Sequence, residues 1–312
     1  MRALLVVNPA ATTVTPRSRE VIVHALSSEL DLEVVASAHR GHARDLARSA
    51  RAEGLDAVLT LGGDGTVNEV INGLLRDGPG EDVPLLGSLP GGSANVFIRA
   101  LGIPTDPVEA AGALLEALQD KRTRTIGLGL ARFRTEQRWF AFNAGVGIDA
   151  EIIELMERAR ANGATATPGR YFTTALRTFF ARTDRRSPAL TVRRPGVPDV
   201  GGVYFALVQN TAPWTFLGPL RLDPSPRASF DTGLDLFAPR SMAVLPSLGH
   251  VRRMAARART LVDRSRLLAL HDQADLTLLA NRPMPLQVDG DSCGQVGSVR
   301  LTSDPAALRV LC

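Results

Sequence analysis

Ala57-Val58-Leu59-Thr60-Leu61 is an almost continuously apolar run that stops at Gly62-Gly63-Asp64-Gly65-Thr66 and gives way to a helical pattern over about 67–76. A strand without polar alternation has both faces covered, which is the habit of parallel sheets. A glycine-rich turn from such a strand into a helix lies where open α/β sheets bind ligands. Glycine admits positive φ and lets backbone amides approach a phosphate closely. The first helical turn adds a partial positive charge. Thr66 and Glu69 have the spacing of a capping box at that helix end. Asp64 is the odd member, because a carboxylate beside phosphates is repulsive unless it holds Mg2+, directly or through water. A tight turn before a capped helix, with no ligand, is the plainer alternative; the strand–turn–helix setting tells against it.

The same grammar runs through the first 120 residues. Strands are expected at 3–7, 32–37, 57–61 and 85–89, with helices at 17–30, 42–53, 67–76, 93–101 and 106–119. Strands alternating with helices imply a parallel sheet covered on both faces. After about residue 125 the pattern changes to short strands parted by Gly, Pro and Arg, at 125–133, 138–144, 189–194, 203–209, 234–238, 275–279 and 285–288. That is the pattern of an antiparallel sandwich. Helical segments interrupt it at 149–160, continuing through 170–182, and at 246–268. The fold class expected is therefore α/β: a Rossmann-like parallel nucleotide domain at 1–125 and an antiparallel β-sandwich at 126–295. The apolar Val299–Leu311 is expected to return to the first domain within a segment 296–312.

Two more segments carry chemistry. Leu89-Pro90-Gly91-Gly92-Ser93-Ala94-Asn95 also follows a strand and opens a helix, so Ser93 is expected to cap that helix and donate to phosphate, with Asn95 able to do either. Asn8-Pro9-Ala10-Ala11-Thr12 is a third polar turn on the same sheet edge. Far away, Leu286-Gln287-Val288-Asp289-Gly290-Asp291 puts two carboxylates at a strand end. In-line phosphoryl transfer needs a base for the acceptor hydroxyl, and an Asp at a strand tip can serve; a solvent hairpin has the same spacing.

Composition removes other chemistries. Lys121 is the only lysine, so a Schiff base is excluded elsewhere, and a Walker P-loop is absent because its lysine must follow a glycine. The net charge of +4 is carried by arginines spread along the chain, with two Trp and two Tyr for stacking, which argues against nucleic acid. Cys293 and Cys312 read as reduced thiols, and the histidines do not cluster with them as a zinc site would. No apolar run reaches about 18 residues, so no transmembrane segment is expected, and Leu4–Val7 is too short for a signal-peptide core. A cytoplasmic protein is expected.

In order, these elements resemble the diacylglycerol kinase catalytic-domain family, which includes sphingosine kinases and bacterial lipid kinases. The resemblance rests on Asn8-Pro9; Ser37 with Gly41-His42-Ala43; Gly62 to Glu69; Pro90 to Asn95 with Phe97 and Arg99; Phe142 to Ala150; and Asp289-Gly290-Asp291. It implies an ATP- and Mg2+-dependent kinase acting on a lipid hydroxyl, with the active site in a cleft between the domains. Asn8, Pro9, Thr12, Ser37, Gly62, Gly63, Asp64, Gly65, Thr66, Asn68, Glu69, Gly92, Ser93 and Asn95 would surround the nucleotide. Asp291, with Asp289 and Asp64, would be catalytic; Asp291 stands where the family usually has glutamate as the proton acceptor. Where relatives often carry acids this chain has Val96, Gly127 and Thr232, the last in the turn Asp231-Thr232-Gly233. That leaves Asp64 as the main Mg2+ candidate.

A lipid substrate implies contact with a membrane surface. The basic stretch His250–Leu261 is a candidate for anionic headgroups, with a solvated arginine face on a packed helix as its alternative. Trp214, Phe216 and Leu217 either line an acyl pocket or simply pack. Rival functions are an NAD kinase-like enzyme with a soluble substrate, against which the Gly-Gly-Ser-Ala-Asn loop and Asp-Gly-Asp argue, and a catalytically weak nucleotide- or lipid-binding regulator. The lipid and the oligomeric state, a homodimer included, are left open.

Overall fold

β1 (Arg2–Val7), β2 (Asp31–Ala36), β3 (Ala57–Gly62) and β4 (Leu85–Pro90) form a parallel sheet ordered β4-β3-β1-β2. Every residue of β3 is buried, as the apolar run requires of a strand with both faces covered. The structure is a computed structural model and describes residues 1–11, 13–162, 168–217, 220–256 and 265–312. The crossovers are α1 (Pro16–Ser27), α2 (His42–Ala52) and α3 (Asp64–Leu74); α4 (Val96–Leu101) and α5 (Pro107–Gln119) follow β4. α1 opens on a Thr15/Ser18 capping box with Pro16 in its first turn, and Asp106 caps α5 through the Val108 and Glu109 amides. Leu5, Ile22, Leu26, Leu59, Leu61 and Leu114 build the core between α1, α5 and the sheet. The chain divides into two compact units, Met1–Leu128 with Pro305–Cys312, and Gly129–Asp304.

The second unit is antiparallel. β5 (Thr123–Phe133) pairs with β6 (Glu136–Phe140), and β7 (Asn143–Val146) leads into α6 (Ile148–Ala161) and α7 (Pro168–Arg177), which runs into a π-helical turn at Thr178–Arg182. β8 (Leu190–Arg194), β9 (Val197–Val203) and β10 (Ala206–Gln209) follow, then a small hairpin of β11 (Thr215–Leu217) and β12 (Leu220–Leu222). β13 (Leu234–Pro239), α8 (Val244–Ala256), β14 (Leu267–Gln273), β15 (Asp275–Val288) and β16 (Asp291–Leu311) complete the chain. β15 is the branch point. It pairs with β16, β7 and β8, and β7 continues through β10 and β13 to β14. Side chains from both branches, among them Val192, Val203, Val208, Leu236, Leu278 and Val299, share one core. The last residues of β16 lie in the first unit, where Val310 pairs parallel with Leu86 of β4.

Three expectations are corrected here. The helix expected to reach 268 does not: Leu267–Gln273 is a strand paired with β13. The strand expected at 203–209 is two, because Val203 ends β9 and the chain turns before Ala206. The strand expected at 138–144 also breaks, for a reason that belongs to the candidate site. No helix among the described residues is long and apolar enough to cross a membrane.

Candidate active site

In the first unit the two glycine loops touch each other through their backbones. A Cβ on Gly91 would lie 2.7 Å from the Gly62 Cα, and one on Gly92 would lie 2.7 Å from the Gly63 Cα. Backbone cannot move aside as a side-chain tip can, so glycine at these positions serves the loop–loop contact. Gly65 differs: a Cβ there would meet nothing within 4 Å. Gly63 is the N-cap of α3 and gives no side-chain cap. Among the described residues nothing accepts from the Asp64 and Gly65 amides, while the Thr66 amide already donates to the Gly63 carbonyl. This is an open helix N-terminus with unspent donors.

The capping box expected of Thr66 and Glu69 is therefore not formed, because the helix begins two residues before Thr66. Both side chains reach sideways instead. The Asn8 Nδ2 donates to the Thr66 hydroxyl (3.2 Å) and the Asn8 Oδ1 accepts from the Ala10 amide (2.9 Å). Glu69 Oε1 accepts from the Gly41 amide (2.8 Å), in a turn where Gly41 has φ +87°. Ser93 does not cap α4 either. The N-cap is Asn95, left-handed at φ 48°, whose side chain closes the loop by accepting from the Gly92 amide (3.0 Å) and donating to the Gly92 carbonyl (2.7 Å).

The cap of α4 comes from the other loop. The Phe97 amide donates to Asp64 Oδ1 (3.1 Å), and the Val96 and Asn95 amides also face this carboxylate. Burial raises the Asp64 carboxyl above the usual range, against those amides and the Arg99 charge. Asp64 thus braces the two loops together. Asn68 is buried and bonded to Asn72, Ser37 is half-buried, and Pro9 and Ser93 are exposed. Thr12 lies outside the described residues. A pocket of about 780 Å3 opens beside this edge, lined by Asn8, Pro9, Val14, Arg19, Val34 and Leu61, among others.

In the second unit Asp289 and Gly290 have φ of 49° and 83° and join β15 to β16 with Val288 opposite Asp291. This is a two-residue hairpin turn, so the hairpin reading describes the backbone. The Asp289 side chain folds back from it. Its Oδ2 accepts from the Ala141 amide (2.7 Å), and its Oδ1 accepts from the Phe142 and Asn143 amides (both 2.9 Å). Three consecutive amides facing one carboxylate cannot also face a neighbouring strand, and this separates β6 from β7. Burial pushes the Asp289 carboxyl up to about 6, with the amides and Arg138 opposing.

Gln287, two residues earlier on the strand and 1% exposed, ties this turn to α6. Its Nε2 donates to Asn143 Oδ1 and Asp149 Oδ2, both at 2.6 Å, and its Oε1 accepts from the Gly290 amide (2.9 Å). Asp149 is 8% exposed, and burial pushes it up to about 6, with the Gln287 bond opposing. Gly145 is required here, since a Cβ would lie 2.3 Å from Asp149 Oδ2. Two residues after Asp289, Asp291 pairs with Arg138 of β6. Burial disfavours the Arg138 cation, but Asp291 more than offsets this and raises its pKa. Sequence reading missed Arg138, Gln287 and the role of Asp149. The i, i+2, i+4 alternation of Gln287, Asp289 and Asp291 was the available signal; Arg138 had none, being one arginine among many.

In the Asp231-Thr232-Gly233 turn, the Thr232 hydroxyl donates to the Ser229 carbonyl (3.1 Å) and the Gly233 amide donates to Asp272 Oδ1 (2.7 Å). Among the described residues no three His, Cys, Asp or Glu side chains converge as a metal site. Cys293 and Cys312 are free thiols. Trp214 is partly buried against Leu207, Phe237 and Met254; the side chains of Phe216 and Leu217 lie outside the described set, as do residues 257–261 of the basic stretch.

Residues 2–131 match the family described as diacylglycerol kinase catalytic domain. A curated relative from Chromohalobacter salexigens, named "Probable lipid kinase YegS-like", is 41% identical over 101 residues, 32% of this chain and 32% of that protein. The chain thus spans about a third of the length of the curated relatives it matches. Among solved structures, a diacylglycerol kinase from Bacillus anthracis superposes with a TM-score of 0.72 at 17% identity, covering 99% of this chain and 96% of that one. An NAD kinase from Archaeoglobus fulgidus, solved with ATP, superposes with a TM-score of 0.53 at 11% identity, covering 100% and 94%. At these identities the structures show a shared fold.

Proposed function

From a chain whose residues 2–131 match the diacylglycerol kinase catalytic domain, we propose a lipid kinase that transfers the γ-phosphate of ATP to a lipid hydroxyl. The observation that carries it is the open start of α3, where Gly65 leaves room and two amides lack acceptors beside a loop pair locked by Asp64. The amides of Asp64 and Gly65 bind phosphate oxygens there. The neighbouring pocket is of a size that suits a small ligand, and the Asn8 turn and Ser37 contact the nucleotide from that side.

In the second unit, Asp291 accepts the proton of the acceptor hydroxyl. The hydroxyl oxygen bonds to the γ-phosphorus as the bond from phosphorus to the bridging oxygen breaks, and ADP leaves with that electron pair. Arg138 orients the Asp291 carboxylate. Asp289, expected among the catalytic acids, is given no proton-transfer role, because both its oxygens serve the 141–143 amides; it holds the turn that presents Asp291. The donor set suits a Mg2+ carried by the nucleotide's own phosphates, since Mg2+ needs only one or two protein carboxylates. Asp64 would be the carboxylate that holds it, in exchange for part of its contact with the 95–97 amides, and the metal would neutralise charge on the phosphoryl group.

The test supplies radiolabelled ATP with diacylglycerol, a sphingoid base and NAD in separate reactions. Label is expected in a lipid. Label in NAD alone, or in none of the three, overturns the proposal. The NAD kinase reading has the shared fold behind it and no feature of the site that favours it.

A further inference from the structure

Among the described residues, six of the ten exposed large apolar side chains lie on α8 and at Leu176 and Phe180, while Met1, Val21, Val108 and Val197 are scattered elsewhere. On α8, Val244, Leu245, Leu248 and Val251 are 40%, 81%, 60% and 55% exposed. They recur at i, i+1, i+4 and i+7, so they share a face. The opposite face is already packed: Met254 lies in a cluster with Leu207 and Phe237, and the His250 ring meets Phe237 edge-on at 5.6 Å. A helix packed on one side would ordinarily present polar residues on the other. Nearby, Leu176 and Phe180 are 44% and 55% exposed, and Phe180 lines a cavity of about 650 Å3 together with Met242 and Ala243 at the start of α8. The two apolar segments thus flank one concavity.

The rim of this patch is net cationic: the acid Asp184 also lines the cavity, and it is paired with Arg282. Arg185 and Arg186 line the same cavity, and the Arg185 guanidinium sits 5.3 and 5.5 Å from the Phe179 and Phe180 ring centres. Arg252 is exposed beside Val251. Residues 240–262 contain five arginines and no acid. The feature differs from the basic stretch expected at 250–261, since its centre is the apolar first two turns of α8, with arginine at the edges.

We propose that this face, the outer side of α8 with Phe180 and Leu176, is where the protein rests on an anionic lipid bilayer. Leu245, Leu248 and Val251 enter the acyl boundary while Arg185, Arg186 and Arg252 meet anionic headgroups. Charge complementarity decides the occupant: a second copy seated on the same face would bring its arginines against each other, whereas an anionic surface neutralises them. The choice of a bilayer over an acidic protein rests on the lipid-kinase reading; binding itself is measured without it.

The test is co-sedimentation of the whole chain, without nucleotide, with vesicles of phosphatidylcholine alone or mixed with phosphatidylglycerol. Binding is expected to the mixed vesicles. The Leu245→Glu/Leu248→Glu variant is expected to lose about tenfold or more in partitioning, and Arg252→Glu about fivefold. Both side chains of the double variant are exposed, so its melting temperature should be unchanged, and its turnover of a short-chain lipid in detergent micelles should match the parent's. A parent chain that stays in the supernatant with every vesicle overturns the proposal. So does a double variant that sediments like the parent, or one that only turns a dimer into a monomer in sedimentation velocity. If vesicles bind but no lipid is phosphorylated, the docking face stands and the lipid-kinase reading falls.

Discussion

The two candidate half-sites are built from different materials. In the first unit the working parts are backbone: loops that touch Cα to Cα and the bare amides of α3, with Asp64 as the one carboxylate joining them. In the second unit they are side chains: Gln287, Asp149, Asn143 and Asp289 form a buried polar knot, and the carboxylate of Asp291, paired with Arg138, stands at its edge. A backbone site depends on which residues lack a side chain. A side-chain site depends on every member finding its partner, because a buried polar group left alone costs about 1–3 kcal/mol.

That contrast can be broken most sharply at Asp291. Asp291→Asn should lower kcat by about 100- to 10,000-fold, the usual worth of a general base, while ATP affinity by calorimetry stays at the parent value. Retained turnover would end the base assignment. Gln287→Leu comes next. It strands Asn143 Oδ1, Asp149 Oδ2 and the Gly290 amide together, so denaturant unfolding should show a loss of about 3 kcal/mol or more; a smaller loss would mean the knot relaxes around the gap.

Asp149 tests the knot by pH. Its carboxyl is pushed up to about 6 in the folded chain, above its unfolded value, so the fold favours the protonated form. Stability from this group is full below the unfolded pKa and is lost as pH rises through about 6. The shift corresponds to about 3 kcal/mol. Asp149→Asn keeps an acceptor for Gln287 and cannot ionise, so it should remove about half of the fall in stability between about pH 4 and 6, Asp289 supplying the rest; an unchanged slope would place the titration elsewhere. For the backbone half, Gly91→Ala should cost about 2 kcal/mol, since its Cβ meets Gly62 backbone at 2.7 Å. The smallest effect on stability belongs to Gly65→Ala. It should leave the melting temperature unmoved and weaken ATP binding; equal losses from both alanines would erase the distinction between packing and ligand glycines.

Legibility in the sequence divides along the same line. β1 and β3 could be read because a strand buried on both faces is written as a nearly continuous apolar run, and the glycine loops because they are contiguous. What misled was local spacing with distant partners. Thr66 and Glu69 fit a capping box, yet their partners Asn8 and Gly41 are 58 and 28 residues away. The amides that hold the Asp289 carboxylate likewise lie 146 to 148 residues upstream, beyond what its own spacing displays. Leu267 and Leu268 closed the helical pattern expected at 246–268 and instead pair with β13, since two apolar residues cannot separate an edge strand from a helix end.

β16 carries a different lesson. It opens with Asp291, and its last residues pair with β4, which is a strand of a unit begun at the first residue. During synthesis, the parallel sheet of the first unit therefore waits with the edge of β4 unpaired until residues 305–311 have left the ribosome, after the whole second unit has already emerged. Domains made from contiguous chain can fold in the order they appear; this one is closed by its final strand, and an exposed sheet edge in the interval is a surface that chaperones or other nascent chains can meet first.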